Sequence, residues 1–458
     1  MNVYRIAAIA SVTFRDAIRS RFLASLVLFL VIGLVALPIL IQGDGSLPSR
    51  IEITIRYALG FGLIILSVAT LWTACGGMAR EIEDRRFYLI VTKPVHRHEI
   101  WLGKWLAIVV LNGGLLILVG LTLSGMLTWT LRARLTGGTE NGGGEISQGL
   151  LARKSILAQM NQEGFEARVI RETKAIIDAR GAPDNMGPDE LAAQVRRHLR
   201  RVAYSIPPQG RITLTFPLPA DRLPHRTATL ILRSASSRPE QTPLVIHWQL
   251  RQGENQVEIQ TTNYPGAPWQ QTIPAAVLSA NQPLMLTLQR ENDTDRATLI
   301  LAPDGNPPEL LVPVGEFGMN LTRSLLVILC RLAFLAALGL TAGCLLSMPV
   351  AVFVSFFAIV LLASSGYVGT VAHNGAFYIA HEGPQPELTW LDGMVIKMFK
   401  GFNTITDPVQ QLDPVPLMAE GRLVAWSMVG QAFLLLGLLY TGIIALAGMA
   451  LFRKRELG

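Results

Sequence analysis

The residues most capable of chemistry lie in one stretch, REIEDRRFYLIVTKPVHRHEIWLGKW, from Arg80 to Trp105. Ten of its side chains are Arg, Lys, Asp or Glu and two are His, yet long apolar runs flank it on both sides. Groups this dense could cradle a phosphate, hold a metal or dock a charged partner. A phosphate-cradling GxxxxGK[ST] loop needs glycine five places before Gly103, but His98 stands there and Trp105 follows Lys104. His96 and His98 could share a metal at i and i+2 only in an extended loop, so no metal site is assigned. The segment TLSGM (122–126) hints at an ATPase signature but falls inside an apolar run, and no HExxH or GxSxG occurs. No catalytic residue, metal or cofactor is therefore expected on this chain. On charge alone the patch could equally serve only to set topology, which any protein of several spans needs.

The elements that must hold the patch are membrane spans. Half of the 458 residues are hydrophobic and only 16% are charged, against roughly 25% charged in soluble domains. A run of about 18 apolar residues or more can cross the ~30 Å hydrocarbon layer as a helix. Six runs qualify: Phe22 to Ile41, Tyr57 to Gly76, Leu106 to Leu131, Ser324 to Leu346, Pro349 to Val371 and Val424 to Phe452. The first is too long for a signal-peptide core and no small-x-small site follows it, so it reads as an uncleaved anchor. Cys75, Cys330 and Cys344 all lie in or at the end of these runs, where cysteine behaves as a small hydrophobe. No disulfide framework or CxxC pattern exists.

Lys and Arg near the span ends set the orientation. Arg5, Arg15, Arg19 and Arg21 precede the first span, and the charged patch and the tail Arg453-Lys454-Arg455 share that side if there are six spans. That side is therefore expected to be cytoplasmic, with both termini inside and residues 132–320 outside. Residues 372–423 carry three cations, Lys397, Lys400 and Arg422, against six acids, which suits the outer side.

Residues 132–320 are a different material. A Gly-rich link, TGGTENGGGE (136–145), opens them and reads as flexible. From Ile146 to Ala203 the apolar spacing reads as helical, interrupted at 181–190. Beyond Pro207-Pro208, alternating segments at 211–219, 228–236, 243–251, 255–262, 283–291 and 297–305 read as strands. The expected fold is thus an all-α membrane protein of six spans with an inserted α+β extracytoplasmic domain containing a β-sandwich, with a jelly roll as one form. The expected division is 1–131 for a first amphipathic helix and three spans with the loop at 78–104, 132–205 for an outer helical segment, 206–320 for the sandwich, and 321–458 for the last three spans with an outer interfacial helix at 386–402.

Within the patch, Pro94 should break one helix and let a second start near His96. The order of residues then carries a resemblance. Arg80-Glu81-Ile82-Glu83, the apolar Phe87-Tyr88-Leu89-Ile90, Lys93-Pro94-Val95-His96-Arg97, Glu99 and Gly103-Lys104 together resemble the first cytoplasmic loop of ATP-binding-cassette permeases of the type-2 export class. Where many members have Gly-Thr after the acidic helix, this chain has Arg85-Arg86-Phe87, which looks like the subgroup that includes the nitrous oxide reductase maturation permease. The stripe Val3, Ile6, Ala10, Phe14 and Ala17 resembles the family's elbow helix, and Leu388, Leu391, Val395, Met398 and Phe402 resemble its outer re-entrant helices, or a plain interfacial helix.

The resemblance implies a permease subunit in the bilayer of a bacterial inner membrane, working as a homodimer or paired permease with a separate nucleotide-binding ATPase. ATP and magnesium would sit on that partner. The implied coupling residues are Glu81, Glu83, Arg85, Arg86, Lys93, Pro94, Arg97, Glu99, Gly103 and Lys104. The alternative is a membrane-anchored binding or mechanotransmission protein whose outer β domain takes a protein partner or glycan; no nucleic-acid partner is expected. Trp248, Tyr264 and Trp269 are candidates for an aromatic sugar platform, although core packing is the commoner fate of such residues. Arg331 lies inside the fourth apolar run, where a central charge is costly. It could line a substrate path or face a second protomer; the plainer reading, that it snorkels to the nearby outer boundary, is preferred.

The orientation is open to cysteine labelling in intact cells. Asn141→Cys and Gln385→Cys should react with an impermeant reagent and Thr92→Cys should not. Labelling of position 92 from outside would overturn the orientation.

Overall fold

The computed structural model describes residues 3–41, 47–83, 96–135, 151–159, 165–180, 188–206, 210–218, 227–233, 235–236, 244–264, 268–273, 278, 282–290, 299–301, 307–374 and 390–454. In chain order come α1 (Val3–Arg19), α2 (Arg21–Leu40), α3 (Leu47–Glu83), α4 (Arg97–Leu135), β1 (Leu151–Leu157), α5 (Phe165–Arg180) and α6 (Pro188–Ala203). Strands β2 (Ser205–Ile206), β3 (Arg211–Phe216), β4 (Ala228–Arg233), β5 (Ala235–Ser236), β6 (Leu244–Gln252), β7 (Asn255–Asn263) and β8 (Pro268–Ile273) follow. Then come β9 (Leu284–Arg290), β10 (Leu299–Ile300), β11 (Glu309–Glu316), α7 (Phe317–Leu345), α8 (Met348–Asn374), α9 (Trp390–Gln411) and α10 (Pro414–Ala419). The last helix runs as α11 (Trp426–Ala432), a π segment (Phe433–Tyr440) and α12 (Thr441–Lys454). The chain divides into two units, residues 1–150 with 316–458, and residues 151–315.

The first unit is helical. Among the described residues, five of its helices are long and apolar enough to cross a membrane: Arg21–Leu40, Ser49–Glu83, His98–Arg132, Phe317–Leu345 and Trp426–Ala450. The expected run at Pro349 to Val371 lies on α8, of which Met348–Val360 is a shorter apolar helix. Two helices overrun the apolar runs that announced them. The 37-residue α3 extends to Glu83 and the 39-residue α4 starts at Arg97, so each is roughly 55 Å long, well beyond one hydrocarbon layer.

Leucines and isoleucines of α3, α4 and α7, among them Leu59, Leu66, Leu123, Ile328 and Leu332, make the main buried cluster. Lipid is as apolar as leucine, so helices in it hold together by close packing and polar contacts rather than by exclusion of water. Both occur here. A Cβ at Gly343 would stand 2.7 Å from the carbonyl oxygen of Cys75, and one at Gly339 would stand 2.8 Å from Ala74 Cβ, so α7 meets α3 where only glycine fits. Thr70 Oγ1 donates to Asn112 Oδ1 at 3.0 Å between α3 and α4, and Trp105 Nε1 donates to the Ala333 carbonyl at 2.9 Å between α4 and α7. In the last helix, Thr441 Oγ1 donates to the Leu436 carbonyl five residues back at 2.7 Å, which satisfies one of the acceptors that a π turn displaces.

The second unit holds antiparallel sheets. Two have four strands, ordered β1-β11-β4-β8 and β3-β9-β6-β7, and one has three short strands, β2-β10-β5. In the sheet containing β6, Trp248 stands opposite both Leu288 and Ile259, and Leu250 opposite Leu286 and Val257. Period-2 alternation sends these to one face. Buried residues of both four-stranded sheets, including Leu214, Phe216, Leu230, Trp248, Leu286 and Leu310, belong to one hydrophobic cluster. The β6–β7 connection turns on Gly253 and Glu254, where Gly253 takes φ +56°, a left-handed conformation that glycine adopts without a Cβ penalty. Helices α5 and α6 pack through Val169, Leu191, Val195 and Leu199. On their surface the Arg196 guanidinium bonds both oxygens of Glu166 at 3.1 and 2.8 Å, holding that carboxyl below its ordinary pKa.

The expected helical segment at 132–205 needs correction. Leu151–Leu157 is a strand, with Ala152 and Ile156 buried and Lys154 exposed, and Ser155 Oγ bonds Glu309 on β11 at 2.7 Å. Its apolar residues fit a helical stripe by spacing alone; pairing within the sheet decides otherwise. Strands β8 and β11 are absent from the expected set. Pro268 opens β8, and β11 reads as a continuous apolar run broken by Pro313, which lies beyond its paired register with β4 at Glu309 to Leu311. The interfacial helix expected at 386–402 runs instead from Trp390 to Gln411, with residues 386–389 outside the described residues. Asp413 then caps α10 by accepting from the Val415 N–H at 3.0 Å.

Candidate functional site

The patch identified in the sequence emerges from the ends of α3 and α4. Arg85, Arg86, Lys93 and Pro94 lie outside the described residues, as does the side chain of Arg97, whose backbone opens α4. The flanking members are placed, and each has a partner on a different helix.

Lys104 is the most constrained of them. Its side chain is 3% exposed, and its ammonium lies 2.5 Å from Glu81 Oε2 and donates to the Gly77 carbonyl at 2.6 Å. A buried ammonium must be paired and hydrogen-bonded to be tolerated, and a cation near a helix carboxyl end is favoured by the helix dipole. Lys104 therefore fastens the start of α4 to the end of α3. Glu83 reaches the other way, its Oε1 accepting from the Met348 N–H at 3.1 Å at the first residue of α8. Arg80 Nε donates to Met348 Sδ at 3.3 Å.

Glu99 is 1% exposed and accepts from the His96 N–H at 3.2 Å. His96 precedes α4 and Glu99 is its third residue, so this is the reciprocal half of a capping box, in which a carboxylate reaches back to the N-cap amide. Arg5 NH1 on α1 lies 3.9 Å from the same carboxylate. Gly103 is where α1 crosses α4: a Cβ there would stand 2.8 Å from Ile9 Cβ and 3.1 Å from the Ile6 carbonyl oxygen. The rings of His96 and His98 stack with centroids 5.2 Å apart. Glu81, Glu83, Glu99, Gly103 and Lys104 thus brace α1, α3, α4 and α8 against one another at the base of the loop. The resemblance named these five for coupling to a partner; nothing in the sequence pointed to Arg5, Gly77 and Met348, because each is remote in the chain or is a backbone group.

A second polar cluster occupies the other end of α3 and α7. Asn320, 2% exposed, donates to the Arg422 carbonyl and accepts from the Val424 N–H, both at 2.8 Å. Arg56 pairs with Glu52 at 2.8 Å and lies 3.9 Å from Glu420, which also holds Arg422 at 2.8 Å. Arg323 stands over the Trp426 ring with 4.9 Å to its centroid. Arg331 lies half-buried on α7. Nothing in the sequence pattern marked Asn320, whose partners lie about a hundred residues on.

The aromatic platform is not assembled. Trp248 and Trp269 are 1% and 3% exposed, with ring centroids 6.4 Å apart in the core, while Tyr264 is 57% exposed. Strand alternation turns Trp248 inward with Ile246 and Leu250, and Trp269 sits opposite the buried Leu232. The indole N–H of Trp248 bonds Thr261 at 2.6 Å and that of Trp269 bonds the Tyr264 carbonyl at 2.9 Å.

No model of a known protein family matches the chain, and no curated protein matches it.

The crossing at Gly103 gives a direct test of the brace. Gly103→Ala should destabilise the detergent-purified chain by about 1–3 kcal/mol, the range for overpacking, seen as a lower thermal midpoint. Ile9→Ala in the same background should recover part of the loss, since Ile9 is the side chain met first. A neutral Gly103→Ala would mean that α1 does not pack here.

Proposed function

We propose that this chain is the permease subunit of an ATP-binding-cassette transporter of the type-2 export class. It crosses a bacterial inner membrane six times, with α8 as the further span, and carries an extracytoplasmic β-sandwich formed by the two four-stranded sheets. It works as a dimer with two copies of a separate ATPase that docks on the loop between α3 and α4. Magnesium-ATP is held by that partner, and this chain supplies docking, transmission and the path.

The observation that carries this reading is the brace at the base of the loop. Lys104 with Glu81 and Gly77, Glu83 with Met348, and Glu99 with Arg5 join four helices near the loop. A force applied to the loop is then delivered to a connected set of helices rather than lost in one. Closure of the ATPase pair moves the loop, and the braced helices follow as a body. Arg85, Arg86 and Lys93 supply the docking charge, while Glu81, Glu83 and Lys104 serve transmission. Whether the work exports a substrate or acts on the outer domain divides the two readings. The run of chain from β11, ending at Glu316, straight into α7 at Phe317 favours force transmission as the second.

Purification of the full chain from its native membranes in a mild detergent tests the partner. A stoichiometric subunit that hydrolyses magnesium-ATP should accompany it. Arg85→Glu with Arg86→Glu should lower recovery of that subunit roughly tenfold, because close charge pairs at interfaces are worth enough for such a change, while membrane yield of the chain stays unchanged. A chain that purifies with no ATPase, or a complex indifferent to the double reversal, would contradict the assignment.

A further inference from the structure

Beside the brace, a cleft of about 280 Å³ opens between α1, α2, α3 and α4. On α3 and α4 its lining changes from charged, at Arg80, Glu81 and Lys104, to apolar, at Trp72 and Leu111, with Asp16 from α1 and Phe22 from α2 also lining it. Trp72 precedes Arg80 by eight residues and Leu111 follows Lys104 by seven, so polarity changes over roughly 10–12 Å along both helices. Phe22 and Trp72 stack with centroids 5.6 Å apart and are 41% and 37% exposed, which suits aromatic residues at a membrane interface.

The charges at the polar end are only partly used. Lys104 donates to the Gly77 carbonyl and its ammonium is ion-paired with Glu81. Arg80 commits Nε to Met348, and its terminal nitrogens have no partner among the described residues. Asp16, exposed on α1, likewise has none. Among the described residues this leaves the terminal nitrogens of Arg80 and the Asp16 carboxylate uncommitted, with the ion-paired Lys104 ammonium beside them in the lining. Cations bind a phosphate by charge-assisted hydrogen bonds. A carboxylate beside them repels a second anion but accepts from a primary ammonium. A free phosphate would have no use for the aromatic wall.

We propose that this cleft is a specific site for a phospholipid whose headgroup carries both a phosphate ester and a primary ammonium. The phosphate lies on Arg80 and Lys104, the ammonium on Asp16, and one acyl chain runs along Phe22, Trp72 and Leu111. The inference rests on the reading of these helices as membrane spans and is independent of any ATPase.

Native mass spectrometry of the full chain tests it, after delipidation and titration with phosphatidylethanolamine, phosphatidylglycerol or inorganic phosphate. One phosphatidylethanolamine per chain should bind first and most tightly. Arg80→Gln should weaken both lipids, phosphatidylethanolamine by about tenfold. Asp16→Asn should weaken phosphatidylethanolamine but not phosphatidylglycerol, a split that general loss of structure would not give. Equal affinity for the two lipids, binding unchanged in both variants, or full competition by inorganic phosphate would overturn the proposal. A chain recovered without detergent from the soluble fraction would instead defeat the membrane reading beneath it.

Discussion

An ammonium group withdrawn from water is the constraint on which the helical unit depends. Lys104 is 3% exposed, and taking such a charge out of water costs several kcal/mol unless opposite charge and hydrogen bonds replace the lost hydration. Glu81 and the Gly77 carbonyl do so from the last turns of α3. Their position sets the register of α3 against α4, because sliding either helix by one residue would strand the charge. The next residue, Trp105, extends the constraint to α7 through the Ala333 carbonyl. Glu99, just over one turn earlier, extends it to α1 through Arg5.

With register fixed in this way, packing can be tight. Gly339 and Gly343 bring α7 against the α3 backbone at Ala74 and Cys75, immediately before Gly77. Polar tie and glycine contact lie within a turn of each other, so each protects the other from slippage. At the far ends of α3 and α7, Asn320 plays the matching part by holding both backbone groups of the segment at Arg422 and Val424. The helices are thus pinned at both ends and held by leucine and isoleucine between. Such a body transmits displacement along its length, which is what the proposed permease, driven from one side, requires.

Much of this was legible from residue order, and the rest was hidden for physical reasons. Apolar runs located five membrane-length helices because lipid demands that composition along a whole span. They understated α3 and α4, whose ends are charged, but the helix start expected near His96 is where α4 begins, at Arg97. Alternation located β3, β4, β6, β7 and β9, each with one face turned inward. It failed for β1, which lies in a segment whose apolar spacing reads as helical. It failed again for β11, where Glu309 to Pro313 are buried in succession and so do not alternate. The charged patch was visible as a site, yet spacing could not divide residues that brace this chain from residues free to dock. Trp248 and Trp269 show the same limit, since a strand pattern gives two faces without saying which one meets the other sheet.

A double-mutant cycle on Lys104 and Glu81, read as the thermal midpoint of the full chain in one detergent, tests the central constraint most directly. Lys104→Met should destabilise strongly by leaving Glu81 without its cation, and Glu81→Gln should do so in turn. The double variant should lose less than the sum of the two, with a coupling of roughly 0.5–3 kcal/mol as found for residues in contact. Strictly additive losses would mean that the two charges do not hold α3 and α4 together, and the brace would lose its foundation.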